Sequence, residues 1–123
     1  MMTRHALSDG HQRLLPLTPA VFFVLFCLSD GDKHGYAIMR ETNQLSGGKV
    51  RMGPGTLYTT LQRLLDLALI EEVREPSVAD RDSRRRYYRL TTSGRALLAA
   101  EIRHMDSVLR LAKRKNLIPR ASD

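Results

Sequence analysis

A short segment in the second half of the chain is rich in arginine. The nine residues from Arg81 to Arg89 hold five arginines and one aspartate, a local net charge of +4. Guanidinium groups bind phosphate oxygens through paired hydrogen bonds. Concentrating several of them in one loop is costly unless an anionic partner neutralises them. The segment therefore predicts phosphate contacts, and the alternative is a loop whose charge serves solvation alone.

A second candidate surface lies on the helix predicted from about Pro54 to Leu67. At about 100° per residue, its core face holds Leu57, Leu61, Leu64 and Ala68. The opposite face holds Gly55, Thr56, Thr59, Gln62 and Arg63. Small residues let a helix end approach a phosphate backbone, whereas glutamine and arginine contact base edges. The pattern is typical of a recognition helix in a major groove, and the alternative is a solvated polar face.

Three further positions are predicted to pack or to cap a helix. Tyr58 lies at the edge of the core face, where its ring can pack while its hydroxyl reaches a phosphate, and the alternative is packing alone. His34 is predicted to cap a helix that runs from Gly35 to Leu45, and Tyr36 is predicted to pack. The histidines are scattered along the chain rather than grouped as metal ligands: His5, His11, His34 and His104.

The remaining elements are predicted from capping and periodicity. Thr18-Pro19 begins a first helix that is apolar on nearly every side. Strands from Ile70 to Glu75 and from Arg85 to Thr91 form a β-hairpin around the basic loop. Alternation along the second strand places Tyr87 and Tyr88 on opposite faces, so that one of them points inward. A long helix from Thr91 or Thr92 to about Asn116 ends the fold.

The last helix carries a predicted dimer seam. Apolar residues recur at spacings of four and three, as in a coiled coil: Leu98, Ile102, Met105, Leu109 and Ala112. The seam covers only about two heptads, so the first helix is expected to add Phe22, Phe23 and Phe26. The alternative is a monomer in which these residues fill one core. A small apolar effector could enter a seam centred on Met105, and the alternative is an unswitched protein.

Composition limits the class of protein. The chain has 123 residues, 42% hydrophobic and 27% charged, with a formal net charge of +7. This favours one globular domain with a polyanionic partner, either nucleic acid or an anionic membrane surface. The single Cys27 lies in an apolar run too short to span a bilayer, so we expect a cytoplasmic protein without a disulfide. Without a nucleophile–base pair or a glycine-rich phosphate loop, we expect no enzyme, cofactor or metal.

Four blocks in the same order resemble the PadR family of bacterial transcriptional regulators. They are Leu17-Thr18-Pro19-Ala20, His34-Gly35-Tyr36-Ala37-Ile38, Gly53-Pro54-Gly55-Thr56-Leu57-Tyr58, and Arg84 to Thr91 followed by Gly94. The resemblance implies a winged helix-turn-helix, a dimer built by the C-terminal helix and, usually, repression. The single short C-terminal helix is similar to the compact branch of the family. Some members of that branch sandwich flat aromatic compounds between tryptophans; this chain has no tryptophan, so an aliphatic or phenolic ligand is expected instead, or none.

The expected fold is mostly helical with a two-stranded β-wing. Residues 1–14 form an N-terminal tail, partly ordered by contacts, residues 15–92 the winged helix-turn-helix, and residues 93–118 the dimerisation helix. We expect a homodimer that binds a pseudo-palindromic operator in double-stranded DNA. The expected DNA contacts are Gly55, Thr56, Tyr58, Thr59, Gln62, Arg63, Arg81, Arg84, Arg85 and Arg86. The alternative function is a winged-helix module whose basic face binds RNA or a protein.

Overall fold

The computed structural model describes residues 7–74 and 85–119. Helices and strands follow in the order α1 Asp9–Gln12, α2 Pro19–Cys27, a 3-10 turn Leu28–Asp30, β1 Lys33–His34, α3 Gly35–Leu45, α4 Pro54–Asp66, β2 Ile70–Val73, β3 Tyr87–Leu90 and α5 Thr92–Arg114. The predicted mostly helical fold with a β-wing is confirmed, and the helix from Gly35 to Leu45 has the predicted bounds.

Side-chain caps fix where the helices begin. Thr18 Oγ1 accepts a hydrogen bond from the Val21 amide at 3.3 Å, and Thr91 Oγ1 accepts one from the Gly94 amide at 3.0 Å. His34 Nδ1 accepts from the Ala37 amide at 3.2 Å. Each cap satisfies one amide that the first helical turn leaves without a partner. The predicted capping roles of Thr18 and His34 are confirmed.

The core lies between α2, the inner faces of α3 and α4, the sheet and the first turns of α5. Its fully buried members include Leu25, Ile38, Leu57, Leu61, Leu64, Leu69, Tyr88 and Leu97. Ala68 does not join the core face as predicted, because α4 ends at Asp66 and Ala68 turns the chain with a φ of 60°. Leu69 is buried in its place. Cys27 also lies in this core, and burial raises the pKa of its thiol to about 12.

A three-stranded antiparallel sheet in the order β1-β3-β2 forms the base of the wing. The two-residue strand β1 was not predicted, because two residues are too short to show periodicity. It pairs along one edge of β3 and thereby brings the His34 ring to 5.5 Å from the Tyr87 ring, over the face of β3 that was expected to be exposed. Tyr87 and Tyr88 are consequently both buried. The prediction that only one of these tyrosines points inward was therefore wrong.

One arginine of the basic segment pairs with a buried carboxylate of the same chain. Arg89 donates from Nε and Nη2 to the two carboxylate oxygens of Asp32, each at 2.9 Å. The Asp32 side chain is only 6% exposed, whereas that of Arg89 is 41% exposed. A buried carboxylate needs such a partner because desolvation without pairing is costly. The pair fixes β3 against the segment that leads into β1.

The N-terminal segment from Leu7 onward is attached to this domain. His11 Nε2 lies 2.9 Å from the carbonyl oxygen of Leu67, just beyond α4, and Leu7, Leu14 and Leu15 pack against the core. The buried Glu101 carboxylate accepts a hydrogen bond from the Leu17 amide at 3.2 Å. The residues that lead into α2 therefore contact both α4 and α5.

Gly94 marks a close approach between α5 and the end of α4. A β-carbon at this position would overlap the backbone carbonyl oxygen of Leu69. We expect Gly94→Ala to lower the free energy of unfolding by about 1–3 kcal/mol. The added methyl group can be accommodated only if the backbone of Gly94 or of Leu69 moves, and that would shift α5 or the segment leading into β2. Gly55→Ala is the matched control: a β-carbon there meets nothing within 4 Å, and alanine favours a helix. Equal stability of the two variants in urea denaturation would contradict this packing.

Candidate nucleic-acid interface

The N-terminal end of α4 presents backbone amides without a side-chain cap. Gly53 occupies the capping position and makes no such bond, and the first turn carries no acidic residue. The other four α-helices of the described residues begin with a side-chain cap. Gly55, Thr56 and Thr59 are exposed beside this end. Uncapped amides and the positive end of the helix dipole together favour an anion.

Gln62 and Arg63 are exposed further along α4. They lie roughly 10 Å from the N-terminal turn, at 1.5 Å per residue. Gln62 Nε2 donates to Asp66 Oδ1 at 2.9 Å, and Arg63 borders a small cleft next to Leu14 and Thr18. The structure thus separates the predicted residues of α4 into an N-terminal group and a distal pair.

Tyr58 joins α4 to the wing. Together with His34, Gly35, Tyr36, Arg85 and Arg86 it lines an open groove of about 300 Å³. A β-carbon on Gly35 would lie 2.7 Å from Tyr58 Oη, so glycine leaves room for the ring to cross the start of α3. Tyr58 is 49% exposed, more than its predicted place at the edge of the core implied. The predicted contacts Arg81 and Arg84 lie outside the described residues.

Arg86 is bound to a carboxylate within the chain. Its Nε donates to Glu72 Oε2 at 3.1 Å and its Nη2 donates to Glu72 Oε1 at 2.8 Å. Hydrogen bonds from Arg86 hold the pKa of Glu72 below its ordinary value. Both side chains are exposed, so a phosphate that binds Arg86 competes with Glu72. The sequence did not reveal this pair, because its members are far apart in the chain and meet only through the register of β2 and β3.

Arg85 lies against the cap of α3. Its Nη1 is 2.7 Å from His34 Nε2, while His34 Nδ1 accepts from the Ala37 amide. A neutral imidazole has only one acceptor nitrogen, and arginine has only donors. The two contacts therefore cannot both be hydrogen bonds in one protonation state. Arg85 therefore lies close to the His34 ring at the edge of the groove, whichever of the two hydrogen bonds forms.

The exposed face of α3 carries residues that sequence reasoning missed. Tyr36, which was predicted to pack, is 58% exposed, because the inner face of α3 is already filled by Ala37 and Ile38. The Arg40 guanidinium carbon lies 5.4 Å from the centre of the Tyr36 ring. The four-residue spacing of this aromatic–cation pair along one helix could have revealed it.

One family of known proteins matches most of this chain. The model of the transcriptional regulator PadR-like family matches residues 24–100, more than half of the chain. The chain belongs to the PadR-like family.

Individual relatives agree with this assignment. The PadR-like chain is 38% identical over 87 residues to a transcriptional regulator of Mycobacterium tuberculosis, covering 71% of this chain and 76% of that one. It is 41% identical over 86 residues to an uncharacterised 37.1 kDa protein of a Streptomyces fradiae transposon, covering 70% of this chain but only 23% of that protein.

Solved structures share the fold. A transcriptional regulator of Clostridium thermocellum matches with a TM-score of 0.61 at 20% identity, covering 89% of this chain and 97% of that one. PadR of Bacillus subtilis, solved in complex with operator DNA, matches with a TM-score of 0.57 at 22% identity, covering 71% of this chain and 48% of that one. At these identities the likeness establishes the winged-helix fold.

The PadR-like chain also exposes an apolar face on α5. Exposed fractions are 39% for Ile102, 42% for Met105 and 39% for Leu109. Val108 and Leu111, which were not predicted, are each 48% exposed. Leu98 and Phe22 are already buried in the core of their own chain, whereas Phe26 is 37% exposed. The uncovered apolar area therefore begins one turn after Leu98.

The described residues hold neither a cluster of metal ligands nor a helix that could span a membrane. In residues 7–74 and 85–119 of this PadR-like chain, no group of three or more His, Cys, Asp or Glu side chains could hold a metal ion. Over the same residues, no helix has both the length and the apolar character needed to cross a membrane.

Proposed function

We propose that this chain is a DNA-binding transcriptional repressor that acts as a homodimer on a pseudo-palindromic operator. The observation that carries the proposal is one exposed surface, on which the uncapped end of α4 stands beside Tyr58, Arg85 and Arg86. Amides, hydroxyl and guanidinium groups are the donors that proteins use toward DNA phosphates. The operator complex of the Bacillus subtilis relative supports the same role for this fold.

The residues of this surface divide into two roles. Helix α4 lies in the major groove: Gly55, Thr56 and Thr59 permit close approach at its N-terminal end, and the distal pair Gln62 and Arg63 contacts base edges, for which Gln62 exchanges its bond to Asp66. The wing holds the phosphate backbone through Arg85 and Arg86, with Arg81 and Arg84 continuing the basic segment. RNA binding through the sheet is disfavoured because Tyr87 and Tyr88 are buried and give no platform for stacked bases.

The homodimer is supported by the apolar face of α5. Ile102, Met105 and Leu109 repeat on one side of a helix and are only partly covered by the described residues of their own chain. A second copy would cover them, with Ala112 extending the seam and Phe23 and Phe26 widening it. Repression follows if the bound dimer occludes a promoter. Such a regulator works in the cytoplasm, where the single cysteine stays reduced.

Binding of an aliphatic or phenolic effector at this seam is part of the same proposal. Met105 at the centre adapts its shape readily, and Phe26 of α2 is also exposed. A ligand there would change the distance between the two α4 helices and thereby the fit to DNA.

DNA affinity should depend steeply on salt. A dimer that neutralises about 6–10 phosphates is expected to lose on the order of 10³-fold in affinity between about 50 and 200 mM salt. Fluorescence anisotropy with a mixed-sequence duplex measures this, and a flat titration would reject the proposal.

On an operator selected from genomic fragments, Gln62→Ala and Arg63→Ala should each cost about 1–3 kcal/mol of binding free energy and relax sequence preference. Arg85→Ala with Arg86→Ala should weaken operator and mixed-sequence duplexes equally.

Glu72→Gln should strengthen non-specific DNA binding. The substitution removes the carboxylate that competes with phosphate for Arg86, so Arg86 becomes available without first breaking an ion pair. Glu71→Gln is the matched control, because it makes the same charge change on the adjacent residue of β2, where the side chain points to the other face. If the two variants bind a mixed-sequence duplex with the same affinity, competition by Glu72 plays no part.

Met105→Glu should dissociate the dimer. The charge would be buried at the centre of the seam without a partner, at a cost of several kcal/mol. Ser107→Glu makes the same charge change on the opposite, polar side of α5 and should leave the dimer intact. Sedimentation velocity gives the oligomeric state of both variants. A dimeric Met105→Glu protein would mean that the subunits associate through another surface.

A further inference from the structure

Tyr36 stands between two grooves of similar size. On one side it lines the groove of about 300 Å³ that contains Arg85 and Arg86. On the other side it lines a groove of about 310 Å³ whose wall includes Arg40 and Arg51. Met39, Asn43 and the buried Met52 complete the lining of this second groove. The exposed Tyr36 ring thus lies between two pairs of arginines, Arg85 with Arg86 and Arg40 with Arg51.

The second groove has the chemistry of an anion site. Arg40 and Arg51 are exposed guanidinium donors, Asn43 adds an amide, and Tyr36 adds a hydroxyl. Among the described residues, no carboxylate lines either groove. The contact between Arg40 and the Tyr36 ring orients the guanidinium along the outer face of α3. The chain segment that carries Arg51 leads directly into the uncapped start of α4.

We propose that α3 supplies a second backbone-phosphate site, in which Arg40 and Arg51 bind one phosphate of the DNA strand. The Tyr36 ring separates this phosphate from a neighbouring one held at Arg85 and Arg86. The inference rests on the proposed function and extends it to residues outside the recognition helix and the wing. A site of this kind fixes the register of α4 in the groove but carries no sequence information.

Purely structural roles for these arginines predict a different outcome. Arg40 would then only cover the Tyr36 ring, and Arg51 would only lie over the turn at Gly48, where a β-carbon would be 3.8 Å from its Nη2. In that case their replacement would change thermal stability but not the number of ions released when DNA binds. The salt dependence of affinity therefore separates the two explanations.

The test uses the full chain and a mixed-sequence DNA duplex, with affinity measured by anisotropy over a series of salt concentrations. The variants are Arg40→Gln, Arg51→Gln, these two combined, and Tyr36→Phe, with Arg13→Gln as control. Arg13 is exposed in the N-terminal segment, so its replacement makes the same change in net charge elsewhere. Thermal melts verify that each variant remains folded.

Loss of one phosphate contact per subunit should reduce the log–log salt slope of a dimer by about 1.8, at about 0.9 for each contact. We expect the full reduction for the double variant Arg40→Gln with Arg51→Gln, part of it for each single variant and none for Arg13→Gln, and weaker binding with a smaller change of slope for Tyr36→Phe. If the wild type binds DNA with a steep slope and Arg40→Gln or Arg51→Gln behaves like Arg13→Gln, the α3 site is rejected and the proposed function stands. A wild type without salt-dependent binding rejects the proposed function itself.

Discussion

The relative direction of α4 and α5 depends on backbone contacts at Leu69. The Thr91 amide donates to the Leu69 carbonyl oxygen at 3.1 Å, and Thr91 Oγ1 donates to the Ala68 carbonyl oxygen at 2.7 Å. The missing side chain of Gly94 then lets α5 begin directly against this turn. Because α5 begins against the backbone of the turn that follows α4, with no side chain between them, the direction of α5 relative to this turn has little freedom. In a dimer built on α5, this contact would set the separation of the two α4 helices, which must match roughly one turn of DNA.

The net charge of this chain does not show which of its arginines can bind a partner and which are already paired. Arg89 is committed to the buried Asp32 and Arg86 is shared with Glu72, so these arginines of the basic segment do not all present free charge to a partner. Conversely, Arg40 and Arg51 lie outside that segment and still border the same surface. Carboxylates on neighbouring strands decide which arginines remain available to a phosphate. A count of charges along a short stretch of sequence does not include these carboxylates.

Features encoded over a few residues could be predicted from the sequence. The caps at Thr18, His34 and Thr91 and the turn after Leu45 define helix bounds, because each depends on hydrogen bonds within three or four positions. The outward face of α4 follows from periodicity alone. The strand β1, the burial of both Tyr87 and Tyr88, and the Glu72–Arg86 pair could not be predicted in this way. Each depends on the register between strands that are distant in sequence, and neither periodicity nor composition encodes that register.

The buried Cys27 has a practical consequence for spectroscopy. A thiol with a pKa of about 12 is almost entirely protonated near neutral pH, and its burial blocks access, so maleimide and iodoacetamide reagents have little to attack in the native protein. A single cysteine introduced on an exposed position of α4 can therefore carry a spin label or a fluorophore without first removing the natural thiol. In the proposed dimer, pulsed electron resonance or energy transfer on such labelled protein would report the distance between the two copies of α4 directly, with and without DNA.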